Sequence, residues 1–320
     1  MTVVAGFRSS GAFEVLTYRL LTGKESGHTL SVLLVLLPFF LSMAVTNDVA
    51  LITLVPFTIL LLQRAGCARS VIPIVVLQTL AANLGCMATP VGSPHNLFLY
   101  SYYTLSAADF FRTLLPLAVL SLLCLTAAAW PVLPKVMPAP QMEKPGAVRR
   151  NMLWVCLGLF VVCLLTVFRL LPWWASAGLV LAAMLILNPK ILKKPDYALL
   201  GTFVCFFIFS GNLGRIPAAR QFLQDFLAHN VMMTSLLVSQ IISNVPAAML
   251  LSGFTRDWRG ILLGVNIGGL GTPMASLASL ISLNFYLRSS GAKPGRYLLT
   301  FTAACLTGIA ILLTAVQLGA

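Results

Sequence analysis

The feature that most constrains this chain is a series of long apolar runs that recur along its length. A helix needs about 20 apolar residues to cross a bilayer. Charged residues make up only 9% of the 320, against roughly 25% in soluble domains. So few charges cannot cover the surface of a soluble protein, which excludes water-soluble enzymes, nucleic-acid-binding modules and disordered chains. The sequence therefore predicts an all-α polytopic membrane protein.

The basic residues indicate orientation rather than nucleic-acid binding. The 21 Lys and Arg against 8 Asp and Glu give a formal net charge of +13. If the polar tip at Asn47 enters from the cytoplasm, the cytoplasmic loops hold 15 of these 21 basic residues and the opposite face holds 6. The positive-inside rule selects this orientation. We therefore predict a multi-pass protein of the inner (plasma) membrane, with the lipid bilayer and no nucleic acid as partner.

Two of the apolar regions are interrupted by polar residues and predict re-entrant hairpins, at 30–63 and 231–253. The first is divided only by Asn47-Asp48, and the second is cut by Ser243-Asn244-Val245-Pro246 into pieces of about a dozen residues. Pieces of this length are too short to cross a hydrocarbon core of ~30 Å. In the orientation above, the two hairpins enter from opposite faces of the membrane and are related by inversion.

An internal repeat follows the hairpins. The stretch from Asn83 to Ser93 (NLGCMATPVGS) matches the stretch from Asn266 to Ser276 (NIGGLGTPMAS). Each copy lies in a run, 71–98 or 261–287, that is long enough to cross but is interrupted midway by Gly and Pro. The tip and the repeated motif are 36 residues apart in the first half and 22 in the second. This pattern predicts inverted repeats, each with a re-entrant hairpin and a discontinuous transmembrane helix.

The predicted organisation has four parts. They are a truncated N-terminal region (1–29) with an interfacial helix over 12–22, a first repeat (30–133), a cytoplasmic loop (134–151) and a second repeat (152–318). The first repeat contains hairpin 30–63, broken helix 71–98 and span 113–133. The second contains spans 152–169, 173–188 and 197–212, hairpin 231–253, broken helix 261–287 and span 298–318. Because the second half has a full span ahead of its hairpin, we expect the chain to begin late compared with its relatives.

Non-helical backbone at membrane depth predicts a solute site. Unpaired N–H and C=O groups each cost several kcal/mol in lipid, so they persist only where they line a wet cavity or bind something. Half-helix N-termini suit an anion, and unwound carbonyls suit a cation. The alternative is that the breaks are packing kinks and the Asn residues join helices. The candidate substrate- and ion-binding residues are Thr46, Asn47, Asp48, Asn83, Gly85, Thr89, Pro90, Gly92, Ser93, Ser243, Asn244, Asn266, Gly268, Thr272, Pro273 and Ser276.

Asp48 stands apart because it is the one acidic residue between apolar half-helices. A carboxylate at that depth costs roughly 2.5–3.5 kcal/mol on insertion scales, which favours a role for it. It can bind Na⁺ or carry a proton, and the alternative is a hydrogen bond that fixes the tip. A Na⁺ site near Asn47, Asp48 and Asn244 is the candidate; no catalytic residue, resident metal or cofactor is predicted. His95 can donate to or protonate a substrate, or can simply cap and pack.

These motifs resemble the ion transporter superfamily, which includes arsenite permeases, citrate and dicarboxylate permeases and NhaD-type sodium/proton antiporters. The tip Thr46-Asn47-Asp48-Val49-Ala50 resembles that of arsenite permeases. Together with the stretch from Ser239 to Pro246 (SQIISNVP), it is similar in particular to YbiR-type inner-membrane transporters. The resemblance implies a moving unit of two hairpins and two broken helices, and a homodimer. Val245 stands where sodium-coupled carboxylate carriers tend to have Thr.

The resulting prediction is an ion-coupled secondary active transporter of a small anion, working by alternating access. The anion would be a carboxylate, an arsenite-like species or another inorganic anion, with Na⁺ or H⁺ as the coupling ion. One alternative is a cation/proton antiporter that uses Asp48. A membrane-embedded enzyme would need a catalytic set, such as paired carboxylates, that the sequence does not show. A non-transporting subunit of a larger complex is a further alternative.

Overall fold

The computed structural model describes residues 2–11, 15, 18, 26–135, 146, 148–193, 197–213 and 215–319. In this part of the chain the regular secondary structure is helical, with no β-strand. The helices are α1 (Thr2–Ser9), α2 (Gly27–Ala44), α3 (Asn47–Arg64), α4 (Val71–Gly85), α5 (Pro94–Tyr102), α6 (Ala107–Ala129), α7 (Arg150–Val167), α8 (Trp173–Leu187), α9 (Tyr197–Leu213), α10 (Pro217–His229), α11 (Val231–Ile242), α12 (Asn244–Ser252), α13 (Trp258–Gly268), α14 (Leu277–Leu287) and α15 (Pro294–Gln317). The predicted interfacial helix over 12–22 and most of the loop 134–151 lie outside the described residues.

Six helices in the described ranges are long and apolar enough to cross a membrane, which confirms the all-α membrane class predicted from the apolar runs. They are Gly27–Ala44, Asn47–Arg64, Ala68–Ala88, Ala107–Ala129, Arg150–Val167 and Pro294–Gln317. The second predicted hairpin has short helices, of 12 residues in α11 and 9 in α12. In the first, α2 and α3 have 18 residues each, or about 27 Å. Both helices are longer than the apolar pattern indicated because they continue through polar ends, and each is long enough to cross a membrane. Helix length therefore does not support a re-entrant hairpin at 30–63, which stays a prediction.

The chain divides into two compact units, of which the first comprises Met1–Gly23 and Gln141–Thr202. Its described core contains Val3, Cys156, Leu159, Met184 and Ile191. Helix α1 packs on α7 here, and Gly6 permits the approach, since a Cβ atom at that position would lie 2.5 Å from Sγ of Cys156. The residues of the spans predicted at 152–169 and 173–188 belong to this first unit.

The second unit comprises Lys24–Pro140 and Phe203–Ala320, and it contains both predicted hairpins and both repeated motifs. Helix α2 packs most extensively on α4, and α11 packs most extensively on α13. Gln78, which is fully buried in α4, joins three helices. Its Nε2 donates to the carbonyl oxygen of Leu34 in α2 and to Oγ1 of Thr58 in α3, both at 2.8 Å. A buried amide of this kind fixes the helices in register.

Both repeated motifs interrupt their helices. After α4 ends at Gly85, the chain forms a 3₁₀ turn (Cys86–Ala88) and then runs extended at Thr89 until α5 begins. After α13 ends at Gly268, a 3₁₀ turn (Pro273–Ala275) precedes α14. The start of α5 is set locally: proline is the first helical residue, and Oγ of Ser93 accepts the N–H of Asn96 at 3.3 Å. Proline at the first position and a serine cap are the usual signals for a helix start.

Candidate functional site

Asn83, near the end of α4, is the centre of the first polar cluster. Its Oδ1 accepts hydrogen bonds from Nδ2 of Asn47 at 2.9 Å and from Oγ of Ser276 at 3.0 Å. Its Nδ2 donates to Oγ of Ser279 at 3.2 Å. The first tip, the first motif and the second motif therefore meet at one amide. All four residues are 5% exposed or less, so these polar groups depend on one another for hydrogen bonding.

Asn266, near the end of α13, is the centre of the second cluster. Its Nδ2 donates to Oδ1 of Asn96 at 2.7 Å, and Nδ2 of Asn96 donates back to Oδ1 of Asn266 at 3.3 Å. Nε2 of His95 lies 3.3 Å from the same Oδ1, and 3.2 Å from Oγ of Ser93. Because that Oδ1 is an acceptor, we assign the ring proton of neutral His95 to Nε2. Nδ1 of His95 is buried and has no partner in the described part of the chain.

The two clusters are equivalent under the alignment of the two motifs. Asn83 corresponds to Asn266, and Asn96 and Ser279 each lie three residues after the final serine of their motif. The hydrogen bond from Asn83 to Ser279 thus corresponds to the one from Asn266 to Asn96. In both cases the asparagine that ends one broken helix binds the helix that follows the other motif. Each motif's asparagine is thus hydrogen-bonded to the helix after the other motif, an arrangement that we call the exchange of partners.

A second pair of equivalent hydrogen bonds joins each motif to its hairpin. Oγ1 of Thr89 donates to the carbonyl oxygen of Met43 at 2.5 Å, and Oγ1 of Thr272 donates to the carbonyl oxygen of Gln240 at 3.0 Å. Thr89 and Thr272 are matched in the motif alignment, and Met43 and Gln240 each precede the tip asparagine by four residues. The sequence similarity of the two halves therefore extends to the contacts that they make.

The matched glycines explain why the first helix of each predicted hairpin can approach the broken helix so closely. A Cβ atom at Gly85 would lie 2.2 Å from the carbonyl oxygen of Phe39, and one at Gly268 would lie 2.9 Å from Cβ of Ser239 and 3.0 Å from Cα of Leu236. Phe39 and Leu236 each precede the tip asparagine by eight residues. Both glycines are therefore needed for packing between the hairpin and the broken helix, at the same place in each half.

Asp48 lies in the first turn of α3 and is half-buried. Its backbone N–H donates to Oδ1 of Asn47 at 3.0 Å, so the tip asparagine links Asp48 to the first polar cluster. A carboxylate at a helix N-terminus is favoured by the helix dipole. The other acidic residues in the described ranges are exposed; they are Asp109, Asp225 and Asp257.

The second tip has a strained backbone. Ser243, between α11 and α12, has φ +74° and ψ 153°, a region that is essentially restricted to glycine. Its Oγ donates to the carbonyl oxygen of Ala275 at 3.2 Å, which ties the tip to the second motif. Asn244 is 5% exposed, and its Nδ2 lies 2.9 Å from the position that a Cβ atom on Gly269 would occupy. Strain of this kind is concentrated at ligand clamps and active sites.

The other predicted residues lie around these contacts. Thr46 is extended and precedes α3. Pro90 and Gly92 are buried in the first break, where a Cβ atom on Gly92 would lie 2.3 Å from the carbonyl oxygen of Cys86. Pro273 begins the 3₁₀ turn of the second motif. No hydrogen bond in the described ranges joins the second tip directly to the first, so the predicted set forms linked clusters rather than one shell.

Three residues of these clusters were not predicted as site members from the sequence, namely Asn96, Ser279 and Gln240. Asn96 and Ser279 could have been found by extending the alignment of the two motifs three residues past its final serine. Gln240 lies one helical turn before the second tip and has no polar counterpart in the first half, so the repeat gave no signal for it. The sequence leaves His95 with either a substrate role or a capping role, and only the structure shows that it contacts Asn266.

A metal site of the usual kind is not formed by these residues. Within the described ranges, no group of three His, Cys, Asp or Glu side chains could hold a metal ion. A cation bound here would therefore need amide, hydroxyl and backbone carbonyl oxygens, which are the ligands that alkali cations take at broken helices.

Comparison with known proteins identifies transporters among the relatives of this chain. The citrate transporter family CitMHS matches residues 1–255. The uncharacterized transporter MJ0456 of Methanocaldococcus jannaschii is 32% identical, covering 83% of this chain and 73% of the relative. The inner membrane protein YbiR of Escherichia coli is 31% identical, covering 88% and 76%. The uncharacterized transporter Mb2703 of Mycobacterium bovis is 23% identical, covering 99% and 83%.

These matches confirm the resemblance to citrate-type permeases and to YbiR, whereas the similarity to arsenite permeases and NhaD-type antiporters stays a prediction. The protein is a multi-pass membrane transporter and not an enzyme. Since the family match covers well over half of the sequence, the chain belongs to the citrate transporter (CitMHS) family.

Proposed function

We propose that the protein is an ion-coupled secondary active transporter of a small anion and that it binds this anion between the two repeated motifs. The observation that carries the proposal is the exchange of partners, in which Asn83 binds Ser279 and Asn266 binds Asn96. The ends of α4 and α13 and the starts of α5 and α14 are thereby held beside each other inside the protein. Helix starts offer free N–H groups to an anion, and helix ends offer carbonyls to a cation.

The second cluster offers an acceptor to an anionic solute that also carries a proton. Helix α5 begins beside Asn266 with Pro94 and Ser93, and His95 is in its first turn. The unpartnered Nδ1 of His95 gives a solute with a hydroxyl or acid proton an acceptor at the same place. A carboxylate is the first candidate because of the family to which the chain belongs. Arsenite-like and other inorganic anions are the competing substrates.

Inverted repeats with two re-entrant hairpins are part of the proposal. Supporting it are the equivalent contacts of the two halves, such as Thr89 to Met43 and Thr272 to Gln240, and the bias of basic residues to one predicted face. In this arrangement the tips at Asn47 and Asn244 open to opposite compartments. Thiols introduced by Thr46→Cys and Val245→Cys in a chain without its native cysteines would then be labelled from opposite sides, and labelling of both from one side would contradict the topology.

Asp48 is the residue that we propose for ion coupling, with Na⁺ or H⁺ as the ion. Its half-buried position in the first turn of α3, next to Asn47, supports this role. The same observation favours a second candidate function, cation/proton antiport through Asp48 with no anion carried. A homodimer, which the resemblance to the superfamily implies, is proposed as the assembly in the bilayer.

Uptake into proteoliposomes separates these functions. Purified protein would be reconstituted and tested with labelled citrate, succinate, arsenite and sulfate under an inward Na⁺ gradient, an inward H⁺ gradient or neither. We expect accumulation of one anion class that requires one of the two gradients. Vesicles that exchange Na⁺ for H⁺ but take up no anion would establish antiport instead. Vesicles inactive in both assays, with protein that is folded, would contradict the proposal.

A further inference from the structure

Gln240 holds the break of the second motif together through its side-chain amide. Nε2 lies 2.8 Å from the carbonyl oxygen of Gly268, 3.0 Å from that of Leu270 and 3.2 Å from that of Leu236. On the other side of the amide, Oε1 accepts the backbone N–H of Thr272 at 2.9 Å. One side chain therefore binds three backbone groups at the interruption and one carbonyl oxygen in its own helix, α11.

The surroundings of Nε2 resemble those of a small cation. An amide NH₂ group carries two hydrogens, yet three carbonyl oxygens converge on this nitrogen. Two of them, from Gly268 and Leu270, lie at the end of a broken helix, where transporters coordinate alkali cations, and the third, from Leu236, lies in the facing helix α11. We call the carbonyl oxygens of Leu236, Gly268 and Leu270 the carbonyl ring. The partial positive charge of the amide hydrogens lies at its centre.

The backbone is shaped to admit this side chain. Gly271 has φ +114°, and a Cβ atom there would lie 2.1 Å from Oε1 of Gln240. Only glycine satisfies both the backbone angle and the space. In the first motif the corresponding residue is Ala88, which lies in a 3₁₀ turn, and the residue corresponding to Gln240 is Met43. A thioether donates no hydrogen bond, so the first half lacks this arrangement.

We propose that the carbonyl ring is a cation site that the protein keeps filled with its own Gln240 amide. The second half of the site therefore takes no cation. The consequence for transport, which rests on the proposed function, is that the coupling ion binds only in the first half, near Asn47 and Asp48. One chain would then couple anion movement to a single cation-binding region instead of two symmetric ones.

Gln240→Glu tests the proposal with little change of shape. The carboxylate places negative charge against three carbonyl oxygens, so it needs a cation between them. We expect the melting temperature of the purified full-length variant to fall below that of the wild type in choline chloride. Replacing choline by Na⁺ at equal ionic strength should then raise it by about 3 °C more than it raises the wild type. A sodium response equal to that of the wild type would overturn the proposal.

Gln240→Ala provides the second variant, since it empties the ring without adding charge. The rise in melting temperature on adding Na⁺ or Li⁺ should again exceed that of the wild type. If this variant shows no larger rise than the wild type, the proposal is refuted, even if the Gln240→Glu variant does not fold. Gln221→Glu, at an exposed position of α10, is the matched control and should respond as the wild type does. This test measures melting temperature and not uptake. If the wild type is found to carry no anion, the proposed function is therefore refuted, but the test of the carbonyl ring stays valid.

Discussion

Asn96 and Asn266 form a reciprocal amide pair, in which each Nδ2 donates to the Oδ1 of the other, at 3.3 and 2.7 Å. The two residues are 170 positions apart and belong to different motifs. Asn96 is fully buried and Asn266 is 3% exposed. A buried amide that loses its partner keeps an unsatisfied polar group, which costs about 1–3 kcal/mol. The pair therefore links the two halves of the transporter energetically as well as geometrically.

A double-mutant cycle on this pair measures that link. Asn96→Ala and Asn266→Ala should each lower the free energy of unfolding by about 1–3 kcal/mol. The double variant should lose less free energy of unfolding than the sum of the two single variants, by about 0.5–3 kcal/mol. The reason is that the second substitution removes a side chain whose partner is already absent. Denaturant titration of the purified protein gives the values. Asn266→Ala combined with Gln221→Ala, which is distant in the chain and exposed, should be additive; additivity at Asn96 and Asn266 themselves would contradict the pairing.

Gly85→Ala should be strongly destabilising. The added methyl group would lie 2.2 Å from the carbonyl oxygen of Phe39, in a backbone that cannot move away cheaply. Overpacking of this kind costs about 1–3 kcal/mol, so we expect a lower melting temperature and a lower yield of folded protein. Gly178→Ala is the control, because no atom lies within 4 Å of its Cβ position in α8. It should be neutral or slightly stabilising, as alanine is the better helix former.

Ser243 tests the strain at the second tip. Both Ser243→Ala and Ser243→Gly remove the hydroxyl that donates to Ala275, so their difference reports the backbone alone. Since φ is +74°, the glycine variant should be more stable than the alanine variant by about 1–3 kcal/mol. Thermal melts of the two variants in the same detergent make the comparison. Equal melting temperatures would show that the tip does not hold this conformation.

Asp48→Asn should abolish ion coupling while leaving the fold in place. Asparagine keeps the size and most hydrogen-bonding capacity of the side chain but removes the charge that would bind Na⁺ or a proton. We expect uptake that no longer depends on the Na⁺ or pH gradient, with the melting temperature near that of the wild type. Asp225→Asn, at an exposed position in α10, should keep the gradient dependence. An Asp48→Asn protein whose uptake still follows the gradient would exclude the coupling role.

The positions of the two breaks could be predicted from the sequence because helix interruption is a local property. Proline and glycine at fixed places in each motif end or begin a helix whatever the rest of the chain does. The apolar runs likewise identified a membrane protein, since the bilayer selects for apolar length alone. Helix ends were less accurate: α2 and α3 extend into polar residues because backbone hydrogen bonding continues where hydropathy falls.

The sequence by itself determined the membrane class, the breaks, the repeated motif and most residues that contact one another at its centre. Only the tertiary structure decided which residues are partners. Asn83 binds Ser279, which is 196 residues away in the chain. Gln240 lies among carbonyl oxygens that no sequence motif predicts. The reason is physical. A hydrogen bond between distant segments depends on how helices pack, and packing is set by the whole set of buried side chains rather than by any local pattern.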